Sequence, residues 1–302
     1  MQNTIAVIWD FDKTLIDDYM QTPIFNKYNV DEKEFWNEVN EIPAKFKKEG
    51  IRVNRDTFYL NHFLTYEQEG KFKGLNNSEL RNFGNELVFC DGLIDLFKEL
   101  KSMVSTNPKY QKYDIKVEHY IVSTGLTEMI KGSEINTLVD GIWGCEFLEK
   151  EVDGEKVIDK IAYAIDNTSK TRAIFEINKG TNKYEKIDVN SKMAKEQRRI
   201  PIYNMIYIAD GPSDVPVYAV VKDGGGYTFA VYRKGNEKEF DQVDRLRAEG
   251  RVDMFGETDY KKDTLTYMWI TRKVMDIADS IFDKYEKEAT GNIEAGPTHI
   301  TD

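Results

Sequence analysis

The sequence of 302 residues contains little cysteine and no long hydrophobic run. Its two cysteines, Cys90 and Cys145, are too few for a disulfide framework or a cysteine zinc cluster, and we expect both in the core. The longest apolar run near the start, 5–9, is far shorter than the ~20 residues of a membrane span. No basic segment followed by an apolar stretch indicates a signal peptide. These absences predict a soluble, cytoplasmic protein with no membrane partner.

Basic residues are also fewer than acidic residues. The chain has 42 Lys and Arg against 53 Asp and Glu, which gives a formal net charge of -11. Binding to a nucleic-acid backbone draws its affinity from clustered cations, so we do not expect nucleic acid as a partner. At roughly 100 to 200 residues per domain, the length allows one large domain or a core domain with a sizeable insertion.

Short apolar runs alternate with helical patterns along most of the chain. The runs lie at 5–9, 119–122, 205–209 and 227–232. Between them, segments such as 93–101 and 170–178 space their apolar residues as one face of a helix does. Continuous apolar runs of this length are typical of strands buried on both faces, and the alternation predicts an open, mainly parallel α/β sheet. Ligands bind such sheets beyond the carboxyl ends of the strands, which is where candidate site residues should lie.

One long segment, 17–89, interrupts this alternation. It has aromatic-rich helical periodicity, for example at Phe35 and Trp36, and no clear strand. We interpret it as a helical cap inserted after the first strand. The remaining core would then consist of 1–16 and 90–290.

Three smaller features complete the organisation of the chain. The polar segment 178–201 is interpreted as a surface excursion before the strand at 205–209. A short strand and hairpin are expected within 143–158, because Asp153 and Gly154 form a turn-favouring pair. The tail, 291–302, is small and polar, and we expect it to be frayed.

Two carboxylates directly follow the first predicted strand. Asp10 and Asp12 are two residues apart, so in an extended segment their side chains would share a face. Two ionised carboxylates held so close together are electrostatically costly without a cation, which indicates a metal ion. The alternative is a pair of capping aspartates at a strand-to-loop junction.

Two more carboxylates follow the strand predicted at 205–209. Asp210 and Asp214 flank Gly211 and Pro212, which favour a tight loop that could turn both acids toward one point. Oxygen ligands of this kind suit Mg²⁺. Taken alone, an Asp-Gly-Pro turn with a helix N-cap explains these residues equally well, but two such motifs after two strands are much less expected by chance.

Ser123 and Lys170 are candidates for binding a phosphate. Ser123 follows the run 119–122, and a hydroxyl with backbone N–H groups at a strand-to-helix junction can donate to phosphate oxygens. Its alternative role is an N-cap for a helix at 126–131. Lys170 opens a helical pattern, where its charge could neutralise a phosphate and a carboxylate together. The alternative for Lys170 is a solvated surface lysine.

Together these motifs resemble those of the haloacid dehalogenase (HAD) superfamily of phosphatases and phosphotransferases. DFDKTL at 10–15 is similar to DxDxT, IVSTG at 121–125 to the hydrophobic run that ends in Ser or Thr, and IADGPSD at 208–214 to GDxxxD. The segment 17–89 makes the chain most similar to the phosphoserine phosphatase-like branch, which has a helical cap at that place. The resemblance implies a Rossmann-like sheet with helices on both faces, plus that cap.

The resemblance also implies a role for each acid. Asp10 would attack phosphorus and form an aspartyl-phosphate, and Asp12 would act first as general acid and then as general base. Mg²⁺ would bind the Asp10 carboxylate, the Asp12 backbone carbonyl and Asp210. Asp214 would hold a water ligand or orient the site.

Ser123 and a lysine would bind the transferring phosphoryl group. Lys170 lies 40 residues before Asp210, which is long for the family, so Lys192, 18 residues before Asp210, competes for this role, and Lys131 is a weaker competitor. We favour Lys170 because it opens a helix with an apolar face, whereas Lys192 lies in the polar excursion.

The expected function is therefore Mg²⁺-dependent hydrolysis of a small phosphorylated metabolite. Transfer of the phosphoryl group to another acceptor, as in a phosphomutase, and a non-catalytic binding protein with the same fold are the alternatives. The presence of all the motif acids argues against the non-catalytic alternative. Substrate specificity would come from the insertion, whose candidates are Arg52, Arg55, Phe58, Tyr59 and Phe63.

Overall fold

The computed structural model describes residues 2–291, and these contain one sheet of seven strands. The strands are β1 (Thr4–Trp9), β2 (Lys116–Leu126), β3 (Gly141–Val152), β4 (Glu155–Tyr163), β5 (Met205–Ala209), β6 (Tyr227–Tyr232) and β7 (Met254–Glu257). Their order across the sheet is β4-β3-β2-β1-β5-β6-β7. The pair β3–β4 is antiparallel and the other neighbours are parallel. The predicted α/β class with a mainly parallel sheet is confirmed.

The helices connect the strands and cover the sheet. They are α1 (Thr22–Tyr28), α2 (Glu32–Lys47), α3 (Phe58–Gln68), α4 (Asn77–Gly84), α5 (Leu93–Ser105), α6 (Pro108–Gln111), α7 (Thr127–Gly132), α8 (Lys170–Lys179), α9 (Val215–Asp223), α10 (Glu237–Ala248) and α11 (Leu265–Gly291). Helix α11 packs on α5 and α6, while α8 and α9 pack on each other. None of the described helices is both long and apolar enough to span a membrane.

The centre of the sheet determines where a site can form. Strands β1 and β5 are buried along their whole length, which explains their unbroken apolar sequences. The chain leaves β1 toward β2 on one side and later returns through β5 on the other. The carboxyl ends of β2, β1 and β5 therefore lie side by side where the strand order reverses, the usual position of ligand sites in open α/β sheets.

The segment 17–89 contains α1 to α4, and its buried aromatic side chains are part of the protein's common apolar core. Phe25 and Phe35 have ring centroids 4.9 Å apart, and Phe63 and Phe72 have centroids 5.0 Å apart. All four side chains are almost fully buried. The aromatic periodicity in the sequence thus reflects helices that pack on one another.

Two predicted elements are longer in the structure than in the sequence analysis. Strand β2 does not stop at Val122 but continues through Ser123 to Leu126, with an irregular register against β3 in this part. The hairpin around Asp153 and Gly154 is formed by β3 and β4 over much more of the chain than 143–158. Both turn residues have positive φ, 52° and 85°, which a tight hairpin turn requires.

Helix α11 ends at Gly291, and the remainder of the predicted frayed tail, 292–302, lies outside the described residues. Cys90 and Cys145 are buried and free, as expected for core residues.

Candidate active site

Three carboxylates meet at the ends of β1 and β5. The parallel register places Trp9 opposite Ile208, and the Asp10 N–H donates to the Ile208 carbonyl at 2.9 Å. Asp10 and Asp210 therefore leave neighbouring strands at the same edge of the sheet. One turn of 3₁₀ helix, Pro212–Asp214, brings the third acid back to this edge. Oxygen atoms of Asp10, Asp210 and Asp214 all lie within 4.8 Å of one another.

Lys170 supplies the cation of this cluster. It is the first residue of α8, its side chain is 1% exposed, and its Nζ lies 2.9 Å from Asp10 Oδ1 and 2.7 Å from Asp214 Oδ1. Burial alone would lower the pKa of this lysine, but the two carboxylates raise its pKa above the ordinary value, so it is charged. Of the competing lysines, Lys192 is exposed and Lys131 pairs with a glutamate on its own helix.

Asp214 is held by three donors. Lys170 Nζ and Tyr207 Oη both donate to Oδ1, the tyrosine at 2.5 Å, and Ser213 Oγ donates to Oδ2 at 2.9 Å. Tyr207 is completely buried on β5, and the sequence analysis missed it. A tyrosine inside an otherwise aliphatic strand was the available signal, since a buried hydroxyl requires a partner. With both oxygens engaged, Asp214 is suited to orienting Lys170.

Asp12 lies beside the cluster but its carboxylate is not part of it. Its Oδ1 accepts a hydrogen bond from the Met20 N–H at 2.9 Å. Burial, and secondarily the charge of Asp10, raise the pKa of Asp12 to about 7. A carboxyl group with such a pKa can both donate and accept a proton near neutral pH, which is the property required of an acid–base group.

Asp10 and Asp210 lie in an environment that disfavours their charged forms, and Lys170 does not fully offset this effect. Burial is the main cause that raises the pKa of Asp10 to about 6, against the opposing effect of Lys170. For Asp210 burial, followed by the charges of Asp10 and Asp214, raises the pKa to about 8. Asp10, which is buried, and Asp210, which is half-buried, thus form an oxygen-rich pair that a small divalent cation would stabilise. The residues present fit Mg²⁺.

Ser123 lies on the neighbouring strand β2 and is 1% exposed. Its Oγ accepts a hydrogen bond from the Gly125 N–H at 3.0 Å, so its own hydrogen is available to donate. The alternative role of Ser123 as a helix cap does not hold, because α7 begins only at Thr127 and has no side-chain cap.

Segment 17–89 contacts the same edge of the sheet. Tyr59 Oη donates to the Thr124 carbonyl at 2.7 Å, next to Ser123. Burial raises the pKa of Tyr59, and its hydroxyl also lies near Cys145, Asp12 and Gln21. Gln21 is 2% exposed, and its Oε1 has no hydrogen-bond partner within the described part of the chain. The sequence analysis missed Gln21 and Met20, because nothing in their local pattern indicates a contact with the motif residues.

The five specificity candidates of the sequence analysis have different positions. Tyr59 lies at the site, Phe63 belongs to the common apolar core, and Phe58 is half-buried. Arg52 and Arg55 are exposed. Of these five, Tyr59 is the residue that the structure brings next to the motifs.

A relative in sequence confirms that this chain is one of a family. An uncharacterized protein from Borreliella burgdorferi is 39% identical over 288 residues, which is 90% of this chain and 97% of the relative. The chain belongs to the same family as that protein. No family model matches the chain.

The fold is shared with solved phosphatase structures. A crystal structure of a probable phosphoserine phosphatase from Vibrio cholerae, in unliganded form, aligns with a TM-score of 0.50 and 14% identity over 92% of this chain and 67% of that chain. This chain has the haloacid dehalogenase fold. A HAD family hydrolase from Salmonella enterica serovar Typhi aligns with a TM-score of 0.49 and 15% identity over 79% of this chain. The chain spans 65% of the length of that hydrolase.

The shared fold confirms the predicted fold class. In this fold the motif residues come from the ends of β1 and β5, from Ser123 inside β2 just beyond the last residue that pairs with β1, and from the start of α8. These four places meet at one edge of the sheet, which is what a single active site requires.

Proposed function

We propose that this protein is a Mg²⁺-dependent phosphomonoester hydrolase that acts through an aspartyl-phosphate on Asp10. The observation that carries the proposal is the buried Lys170, which binds Asp10 and Asp214 within a cluster of carboxylates at the strand ends. A nucleophilic carboxylate beside a fixed cation is the arrangement that phosphoryl transfer needs, because its chemistry depends mainly on positioning and charge neutralisation.

In the first step, Asp10 attacks phosphorus. Lys170 binds Oδ1 of Asp10, and we assign the attack to the other carboxylate oxygen. As this oxygen bonds to phosphorus, the bond from phosphorus to the leaving oxygen breaks, and Asp12 gives its proton to that oxygen. The pKa of Asp12, raised to about 7, keeps that proton available at neutral pH.

In the second step, water attacks the phosphorus of the aspartyl-phosphate. Asp12, now ionised, takes a proton from the water, the bond between Asp10 and phosphorus breaks, and inorganic phosphate leaves. Both carboxyl groups return to their initial states. The Ser123 hydroxyl and Lys170 bind the oxygens of the phosphoryl group in both steps.

The acidic cluster would hold the metal ion through Asp10, Asp210 and the backbone carbonyl of Asp12. When bound, Mg²⁺ neutralises negative charge on the phosphoryl group. Asp214 keeps its hydrogen bonds to Lys170, Tyr207 and Ser213, and so orients the lysine.

We further propose that 17–89 forms a cap domain on a core of 1–16 and 90–290. Two contacts support this division: Ile16 and Phe89 form an antiparallel bridge, so the segment begins and ends at one place, and Met20 binds Asp12. The Tyr59 contact at Thr124 closes the cap over the strand ends, which excludes bulk water. A small phosphorylated metabolite as substrate, a cytoplasmic location and the absence of a nucleic-acid partner remain predictions from the sequence.

Turnover of p-nitrophenyl phosphate tests the proposal. We expect Mg²⁺-dependent release of p-nitrophenol by the wild type and none by Asp10→Asn, with the circular dichroism spectrum unchanged. Beryllofluoride, which mimics a phosphoaspartate, should inhibit the wild type and raise its melting temperature, and it should leave the melting temperature of Asp10→Asn unchanged. A wild type without turnover, or an Asp10→Asn variant that retains wild-type turnover in a deamidation-free preparation, would contradict the proposal.

A further inference from the structure

Two completely buried tyrosines contact the ends of the acidic loop 210–214. Tyr207 lies on β5 and Tyr218 on α9, and their rings pack edge to face with centroids 5.6 Å apart. Tyr218 Oη donates to the Ala209 carbonyl at 2.9 Å, directly before the loop. Tyr207 Oη donates to Oδ1 of Asp214, the last residue of the loop, at 2.5 Å. Both ends of the loop are therefore held by hydroxyl groups that solvent does not reach.

Packing of the core does not require these hydroxyl groups. Phenylalanine would fill the same space without bringing a polar atom into the core, and a buried hydroxyl costs free energy unless a hydrogen bond compensates it. The Tyr207 hydroxyl is compensated by a carboxylate of the proposed active site and not by the backbone. This partner indicates that the hydroxyl has a task at the site.

Asp214 Oδ1 is shared between Tyr207 and Lys170. The lysine Nζ lies 2.7 Å from this oxygen and 2.9 Å from Asp10 Oδ1. A carboxylate oxygen has two acceptor positions, and the lysine and the tyrosine together occupy both positions on Oδ1. Ser213 Oγ donates to the other oxygen, so hydroxyl groups supply two of the three hydrogen bonds that stabilise the Asp214 carboxylate.

The Tyr207 hydroxyl thereby limits the attraction between Asp214 and Lys170. Asp214 is completely buried, so its charge is stabilised only by the groups that contact it. Without the tyrosine hydroxyl, the same carboxylate would rely more on Lys170 and would draw the ammonium away from Asp10. The contact of Lys170 with Asp10 is the one on which the proposed attack on phosphorus depends.

We propose that Tyr207 is a positioning residue for phosphoryl transfer. Its hydroxyl keeps Lys170 shared between Asp214 and Asp10, so that two of the three ammonium donors bind the carboxylates and the third is left for the phosphoryl group. Tyr218 supports this arrangement, because its ring packs on Tyr207 and its hydroxyl holds the start of the loop. The inference rests on the proposed function and adds to it a residue that does not itself touch the substrate.

Steady-state kinetics of Tyr207→Phe test this role, with Tyr110→Phe as the matched control. Tyr110 is 2% exposed and shares Oδ1 of Asp279 with Lys109, at 2.7 and 2.6 Å, so it forms the same trio between α6 and α11, outside the proposed site. At saturating Mg²⁺, we expect Tyr207→Phe to lower kcat for p-nitrophenyl phosphate by at least about tenfold and to change KM by less than about twofold, because Lys170 still binds the phosphoryl group in the ground state. Tyr110→Phe should keep both constants. A purely structural role of Tyr207 would lower the melting temperature and leave kcat of the folded enzyme unchanged.

A second measurement needs neither turnover nor a metal ion. In the ¹⁵N-labelled protein in EDTA, the ammonium signal of Lys170, assigned by its loss in Lys170→Ala, should shift in Tyr207→Phe and remain unshifted in Tyr110→Phe. With an active wild type, an unchanged kcat in Tyr207→Phe, an equal fall of kcat in Tyr110→Phe, or an unshifted Lys170 signal in Tyr207→Phe would each overturn this inference alone. A wild type without turnover would contradict the proposed function, and this role with it, so the two failures are distinguishable.

Discussion

Lys170 contacts two carboxylates of the proposed active site. Its Nζ lies 2.9 Å from Asp10 and 2.7 Å from Asp214, and no water is needed to bridge these contacts. A carboxylate that attacks a phosphate dianion must overcome the repulsion between two anions. At an effective dielectric constant of ~20, a unit charge pair at ~4 Å contributes about 4 kcal/mol.

We therefore expect Lys170→Ala to lower kcat for p-nitrophenyl phosphate by roughly 10³-fold, which is the rate equivalent of about 4 kcal/mol. Lys192→Ala is the matched control, because Lys192 is exposed. It should retain the activity of the wild type. Steady-state kinetics of the two variants at saturating Mg²⁺ make the comparison, and a severe defect confined to Lys192→Ala would reverse the assignment of the lysine.

His119 is a buried residue whose environment predicts a pH effect on stability. It is completely buried, it stacks on Phe97 at 4.1 Å, and the Trp9 indole donates to its Nδ1 at 3.3 Å. Burial lowers the pKa of His119 from 6.5 to about 3. Between these two values the unfolded chain binds a proton at this histidine and the folded protein does not, so the folded state loses stability as the pH falls.

Between the two pKa values, one such group changes the free energy of unfolding by about 1.4 kcal/mol per pH unit. On lowering the pH from 7 to 5, we expect the free energy of unfolding to fall by about 2 kcal/mol more in the wild type than in His119→Gln, since the unfolded-state pKa is about 6.5. Urea titrations of both proteins at the two pH values give this difference. An equal fall in the free energy of unfolding in the wild type and in His119→Gln would show that His119 does not contribute to the pH dependence of stability.

At the scale of helices and strands, the sequence pattern was informative where burial alone determines structure. The apolar runs at 205–209 and 227–232 coincide with β5 and β6, because a strand buried on both faces needs apolar residues throughout. Strand β2 was predicted too short because Ser123 interrupts its apolar run. A polar residue inside a strand looks like a strand end until the irregular pairing with β3 is known.

The contacts between segment 17–89 and the motifs could not be predicted in the same way. Met20 binds Asp12 through its backbone N–H, and Tyr59 binds the carbonyl of Thr124 across 65 residues of chain. Every residue except proline has a backbone N–H, and every residue has a carbonyl, so hydrogen bonds to these groups cannot be predicted from residue type. Tyr207 differs, because its buried hydroxyl on β5 is a side-chain feature that the sequence displays even though its partner Asp214 is not adjacent.

A loop of segment 17–89 also contacts the residues that precede α8. Asn54 Nδ2 donates to Asp166 Oδ2 at 2.9 Å, and Asp56 Oδ2 accepts from the Asn167 N–H at 3.3 Å. Asp166 in turn accepts from the N–H groups of Thr168 and Ser169, which fixes the backbone just before Lys170. This contact therefore links the proposed cap to Lys170, the lysine that we propose to bind the phosphoryl group.

We expect Asn54→Ala to loosen this link. The variant loses two exposed hydrogen bonds, from Asn54 Nδ2 to Asp166 and from the Asp56 N–H to Asn54 Oδ1, each of about 1 kcal/mol. This loss should reduce kcat/KM several-fold and speed tryptic cleavage in the loop that contains Arg52 and Arg55. Asn61→Ala, an exposed asparagine on α3, is the control. Cleavage and kcat/KM that are the same in Asn54→Ala and in the control would exclude a role for this contact.

For the molecule as a whole, the stability of the fully buried sheet centre offsets the electrostatic cost of the carboxylate cluster at its edge. Strands β1 and β5 are apolar and buried throughout, yet both end at carboxylates that crowd within 4.8 Å of one another. One lysine cannot balance these acids. The stability of the core thus permits this cluster, and the repulsion within it would give it affinity for the cation that we propose.

This balance predicts a variant that is more stable and inactive. Asp210→Asn keeps the shape of the side chain but removes a carboxyl group whose pKa is raised to about 8 in the fold, and which therefore favours the unfolded chain, where it ionises freely. At neutral pH without divalent cations we expect the variant to be more stable than the wild type by about 1–2 kcal/mol. Mg²⁺ should stabilise the wild type, by about 2.7 kcal/mol at a concentration of 100 Kd, and should have little effect on Asp210→Asn. Phosphatase turnover should be lost in the variant.

Thermal unfolding in EDTA and in Mg²⁺ measures both effects, with Asp244→Asn, an exposed position on α10, as the control for removal of a charge from this acidic protein. If Asp210→Asn and Asp244→Asn raise the melting temperature in EDTA equally, the effect comes from net charge, because Asp244 is not part of the cluster. A melting temperature of Asp210→Asn below that of the wild type in EDTA would mean that the Asp210 carboxylate stabilises the metal-free fold. In that case the three carboxylates would not be held together against their repulsion, and the argument for a metal ion at this edge of the sheet would fail.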